Sequence, residues 1–155
     1  MLDSMSYAKF NVFHWHVVDT QSFPFQSLTY PKLWDGSYSS QEKYTQEDMN
    51  HLVEYGRLRG IKVMIEFDVP GHAGSWCKGY PEICPSTACN EPLDPSTETT
   101  FKLIDELLAE STGRQKLAGL FPYSLIHLGG DEGIEVQLES SLFCSLLIET
   151  VLSPF

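Results

Sequence analysis

The feature that most constrains this chain is an alternation of short apolar runs with helical segments. Residues 11–18 (NVFHWHVV), 61–67 (IKVMIEF) and 124–128 (SLIHL) are rich in β-branched, aromatic and aliphatic side chains. A long irregular stretch and then a segment of helical period follow each of the first two. Strand, loop, helix, strand, loop, helix, strand is the order that produces parallel sheets with right-handed crossovers. Acids and histidines gather where those strands end: Asp19, Asp68 with His72, and Asp131 with Glu132. That is where active sites sit in β/α barrels and in open doubly wound sheets. No glycine-rich dinucleotide fingerprint follows any strand, so a barrel is the expectation.

The connecting segments carry their own signals. Residues 1–10 read as the tail of a helix whose beginning is absent, with Leu2 and Met5 at helical spacing and no cap ahead of them. Residues 19–36, with Pro24, Pro31, Phe23, Phe25, Tyr30 and Trp34, are too proline-broken for a helix. A loop of that length is expected to act as a lid or binding loop. Thr45 and Asp48 have capping-box spacing ahead of Met49, Leu52, Val53 and Gly56, and Gly60 is the stop. After the second strand, Pro70 and Gly71 turn the chain and present His72; a second proline-rich loop holding Trp76 and Tyr80 follows. Ser96 is the expected cap of the next helix, with Phe101, Ile104, Leu107 and Leu108 as its stripe and Gly113 as its end.

Asp131 and Glu132 stand just past Gly129 and Gly130. A glycine-loosened backbone there can aim both carboxylates into one cleft. Like charges held close resist joint ionisation, so one acid can stay a proton donor while its neighbour remains an anionic acceptor. Glu66 and Asp68 share a strand face, and a carboxylate there needs a partner. His14 and His16 share the other strand's face and are expected to be packed, hydrogen-bonded core residues. Trp15, Trp34 and Trp76 suit core or loop anchors as well as sugar platforms.

Composition excludes several classes of partner. A formal charge of -11 from 21 acids against 10 Lys and Arg, with no basic cluster, argues against nucleic acid. No apolar run approaches the roughly 20 residues of a membrane span, and the first residues lack the pattern of a signal peptide. Cys77, Cys84, Cys89 and Cys144 are too few for a disulfide framework and lack structural-zinc spacing, so buried thiols are expected.

Three stretches together, NVFHWHVVDTQSFP, GIKVMIEFDVPGHAGSW and HLGGDE, resemble the β-N-acetylhexosaminidases of glycoside hydrolase family 20. The resemblance implies a partial (β/α)8 TIM barrel, covering about strands two to four with their helices, over residues 1–132. Residues 133–155 form a divergent tail in which Leu138, Leu142 and Leu146 could line an amphipathic helix. The implied chemistry is retaining, substrate-assisted hydrolysis of terminal non-reducing N-acetylglucosamine or N-acetylgalactosamine, with no metal and no cofactor. By similarity Glu132 is the acid/base, Asp131 holds the acetamido group, and Asp19, His72 and Glu66 support them or the substrate. The partner is then a glycan or glycoconjugate ending in such a sugar. An intact relative is expected in a secretory, lysosomal or vacuolar compartment.

Other readings compete with this one. His14, His16, His72, His127 and Asp131 have the residue types of a barrel metallohydrolase, ranked below because the Q-S-F-P and D-x-P-G-H patterns have no role in a metal cage. At 155 residues the chain is also shorter than the about 250 of a closed barrel, which leaves a non-catalytic or binding fragment as the main alternative. Unpaired edges would favour self-association. In the family a cysteine near position 137 commonly pairs with one in the long loop, which would be Cys89; Gln137 stands there, and that pairing is expected to be lost.

Overall fold

A computed structural model describes residues 1–86, 90–113 and 119–130. The regular elements are α1 (Leu2–Tyr7), β1 (Val12–His16), α2 (Gln46–Arg57), β2 (Lys62–Glu66) and α3 (Glu98–Thr112), with short 3-10 turns at Pro31–Gly36, Trp76–Lys78 and Pro81–Ile83. β1 and β2 pair in parallel, from Val12 opposite Lys62 to His16 opposite Glu66. The third expected strand is present as a single parallel bridge between Glu66 and His127. Its ladder runs on through Phe67 N–H to His127 O and Val69 N–H to Leu128 O, both 3.1 Å. β2 is therefore central, flanked by β1 and by residues 127–128.

The amphipathic signals explain the helices. In α2 the Thr45 side chain accepts from Asp48 N–H while Asp48 accepts from Thr45 N–H, a complete capping box, and Met49, Val53 and Gly56 face the sheet. α3 corrects the sequence reading: Thr97, not Ser96, precedes its first turn, and Gly113 closes it at φ 77°. Its buried face is Thr100, Leu103, Ile104, Leu107 and Ser111, with Phe101 and Leu108 at the margins. Ser96 instead bonds Asp94.

The aromatic loop after β1 is core rather than lid. Phe23, Phe25 and Leu33 are completely buried. Phe23 meets Trp76 edge-on at 5.1 Å between ring centroids, and Phe25 meets Phe67 in the same way at 5.1 Å. Edge-to-face packing adds about 1 kcal/mol per pair beyond area burial. Trp76 is thus a core anchor. The loop is also latched to α3: Glu110 accepts from Ser27 Oγ and Leu28 N–H, each at 2.7 Å, from Thr29 N–H at 3.2 Å, and from Gln46 Nε2 at the start of α2. Residues 38–42, by contrast, are mostly exposed and bonded chiefly to one another.

Two cysteines depart from expectation. Cys77 and Cys84 form a disulfide across the two 3-10 turns. Cys89, Cys144, Gln137 and the helix expected in the tail lie outside the described residues.

Candidate functional site

Titratable groups converge at the C-terminal ends of β1 and β2 and beside the Glu66–His127 bridge. Asp19 is fixed first by its backbone, through reciprocal bonds with Ser22 at 3.0 and 3.1 Å. Its carbonyl accepts from Ser75 Oγ at 2.6 Å, which ties it to the loop after β2. Asp19 Oδ1 accepts from Thr20 N–H at 2.6 Å and meets His72 Nδ1 at 2.8 Å, while Oδ2 meets His16 Nε2 at 3.1 Å. Desolvation opposes ionisation of Asp19, but the bonds from His72, Thr20 and His16 outweigh it and hold its carboxyl below the ordinary value.

His72 follows the Pro70–Gly71 turn and sits at φ 53°, a left-handed conformation uncommon for a residue with a side chain. Such backbone positions persist where surrounding structure over-determines them, and they cluster at functional sites. Glu91, from the loop before α3, accepts from Gly74 N–H at 2.7 Å and is also bonded by the Thr20 hydroxyl. One carboxylate therefore staples the Asp19–Thr20 turn to the loop bearing His72. Sequence reasoning missed Thr20, Ser75 and Glu91, because nothing local in the sequence predicts bonds that span 56 to 71 positions.

Glu66 occupies the middle of the cluster. It is 6% exposed, which is affordable only with partners, and it has three. Oε2 bonds His14 Nε2 and lies 3.3 Å from His16 Nδ1; Oε1 lies 2.9 Å from His127 Nδ1. Desolvation raises its pKa, yet the hydrogen bonds from His14 and His16 and the nearby charge of His127 bring it below the ordinary value. His16 shows the reciprocal effect: desolvation disfavours its cation, but Asp19 and Glu66 outweigh that and raise its pKa. The expectation that His14 and His16 are core residues is corrected, since their side chains are 44% and 38% exposed. Alternation identified a shared face but not that the face is polar and open.

Asp68, two residues on, is pushed the opposite way. Desolvation and the charge of Glu66 raise its pKa against the bond from Gly130 N–H at 3.3 Å. Gly129 passes so close to Asp68 that a Cβ there would fall 1.7 Å from Oδ1. Asp131 and Glu132, the expected acid pair, lie outside the described residues, which end at Gly130. The structure thus brings Asp19 and His72 together, and puts Glu66 one histidine away from Asp19 through His16.

The model of glycosyl hydrolase family 20, catalytic domain, matches residues 1–152. The chain is 54% identical over 132 residues to β-hexosaminidase 3 of Arabidopsis thaliana, covering 85% of this chain and 24% of that protein. It is 44% identical over 141 residues to the β-hexosaminidase subunit beta of Homo sapiens, covering 84% of this chain and 24% of the relative. The chain therefore spans about a quarter of the length of the curated relatives it matches. Among solved structures, the chitobiase of Flavobacterium johnsoniae superposes with a TM-score of 0.74 at 31% identity, covering 99% of this chain and 24% of that one. A β-N-acetylhexosaminidase from Bacteroides fragilis gives 0.74 at 28% identity, over 97% of this chain and 31% of that one. The fold is that of part of a (β/α)8-barrel family, represented among the described residues by two paired strands and one bridge. The chain belongs to glycosyl hydrolase family 20, within its catalytic domain.

Proposed function

We propose that this chain carries the acid pair of a retaining, substrate-assisted β-N-acetylhexosaminidase, acting on glycans with terminal non-reducing N-acetylglucosamine or N-acetylgalactosamine. In this reading residues 1–132 correspond to barrel strands two to four, and residues 133–155 are a divergent tail. The sugar's acetamido oxygen attacks the anomeric carbon as the glycosidic C–O bond breaks. Glu132 gives its proton to the leaving oxygen, then takes one from the water that opens the cyclic intermediate. Asp131 accepts the acetamido N–H and stabilises the positive charge that develops.

The observation that carries the proposal is the Asp19–His72 pair, 2.8 Å apart at the ends of adjacent parallel strands. A carboxylate fixing an imidazole's orientation is how a proton donor's surroundings are set by a supporting pair. Glu66 supports it through His16. The Cys77–Cys84 disulfide suits a secretory, lysosomal or vacuolar compartment, where such bonds persist. A second reading, a non-catalytic product with an inherited site, is favoured by one observation: among the described residues nothing pairs with the outer edge of β1.

Hydrolysis of a fluorogenic N-acetylglucosaminide at mildly acidic pH, beside Glu132→Gln, separates the two. Turnover that falls at least ~100-fold in the variant, with circular dichroism unchanged, supports the enzyme. Folded protein with no turnover supports the second reading; self-association is the route by which an active chain would complete its pocket.

A further inference from the structure

The polar face between β1 and residue 127 holds a donor set in which His14 and His127 have no part in the proposed hydrolysis and Glu66 is shared with it. One ligand atom from each of His14, Glu66 and His127 lies within 4.8 Å of the other two. They come from three neighbouring strand positions: β1, the central β2, and the bridge residue beside it. Their backbones are thus held by ladder hydrogen bonds rather than by loops, the condition under which a ligand set keeps its geometry. The two imidazole rings face each other at 4.7 Å between centroids, tilted by 39°, with the Glu66 carboxylate reaching both nitrogens.

We propose that His14, Glu66 and His127 form a binding site for a divalent transition-metal ion, of which zinc is the best match. Two imidazoles and one carboxylate are a recurrent open zinc set that leaves the fourth position to water. Bonds of 2.0–2.1 Å in a tetrahedron separate ligand atoms by about 3.3 Å, so the contacts of Glu66 with His14 and His127 open by small side-chain rotations on ligation. The Gly129 N–H lies 3.0 Å from His127 Nδ1, on the same nitrogen that would ligate. Ligation therefore requires His127 to give up that bond or to turn about its ring axis, which makes His127 the ligand that moves. His14 and His127 are each 44% exposed, so the site is open to an ion from solution.

A rival set, His16, Glu66 and Asp68, shares the same glutamate. It is the poorer one because both ring nitrogens of His16 are already engaged, Nε2 by Asp19 and Nδ1 by Glu66. The proposal needs neither Asp131 nor Glu132, and Glu66 is the one residue it shares with the glycosidase reading.

The test is zinc chloride titrated calorimetrically into the purified full chain at neutral pH, with any free thiol alkylated beforehand so that cysteine does not contribute. One zinc per chain at micromolar affinity is expected. His14→Gln, His127→Gln and Glu66→Gln should each weaken binding by about 10–100-fold, while His16→Gln and the remote His51→Gln stay within about threefold. Cobalt substitution should give the visible absorption of a four-coordinate ion, lost in His14→Gln. Since glutamine keeps hydrogen-bonding capacity, circular dichroism of each variant separates ligand loss from unfolding. Absence of zinc binding below millimolar, or an effect of His16→Gln equal to that of His14→Gln, would overturn the assignment.

Discussion

The contact between Gly129 and Asp68 makes a sharp prediction. Adding a methyl group in Gly129→Ala puts Cβ 1.7 Å from Asp68 Oδ1 and 2.3 Å from its Cγ, at a backbone φ of 64°. Left-handed φ costs a residue with a Cβ about 1 kcal/mol or slightly more. Asp68 must also swing aside and give up its bond from Gly130 N–H, in a setting where it is only 6% exposed. Losing a hydrogen bond to a charged group adds about 2 kcal/mol, for a total near ~3 kcal/mol. Gly130→Ala is the control. It has φ 82°, but the nearest atom to its Cβ is Val69 O at 3.9 Å, so only the backbone cost of about 1 kcal/mol applies. Urea denaturation of both variants measures the difference directly. Repeating both in an Asp68→Ala background should shrink it to under ~0.5 kcal/mol. Equal costs for the two glycines, or a difference that survives without Asp68, would refute the packing argument.

Two further outcomes follow from the site and the loop beside it. Asp19 has its folded-state pKa lowered, so its stabilisation is complete above its ordinary value of 3.8 and is lost as pH falls through the lower folded value. His16 has its pKa raised, so its contribution is complete below 6.5 and is lost as pH rises through the higher folded value. The melting temperature of the parent should therefore exceed that of Asp19→Asn most between those two limits and converge with it in strong acid; a gap that stays constant down to pH 2 would contradict this. Opening the Cys77–Cys84 disulfide releases a loop of sequence separation 7, which by chain entropy should cost about 2–3 kcal/mol. Denaturation of Cys77→Ser/Cys84→Ser checks it, and an unchanged midpoint would mean that the aromatic core alone fixes this loop.

Much of the frame was legible because it is local. The capping box at Thr45 and the face of Met49, Val53 and Gly56 are written within one helix, and both appear as read. The two full strands fall inside the apolar runs that announced them. What failed was non-local. Phe23 and Phe25 lie in a proline-broken stretch with no period, and only Trp76 and Phe67, about fifty and forty positions away, turn them into core. Thr97 displaced Ser96 at α3 because Asp94 had already engaged the serine. Asp19 and His72 were named from motif resemblance, and their contact is found; Glu91 has no motif, and its role depends on two loops meeting. Asp131 and Glu132 remain assignments from sequence.

The Glu110 latch divides the loop after β1 into two kinds of territory for evolution. Residues 27–29 must keep their spacing, because one carboxylate on α3 counts three successive backbone and side-chain donors and would lose its grip with a single inserted residue. Residues 38–42 answer mainly to themselves. Length changes are therefore channelled to the stretch around Ser40, where new surface, a processing site or a contact with another chain could be acquired without disturbing the aromatic core or the Asp19–His72 pair.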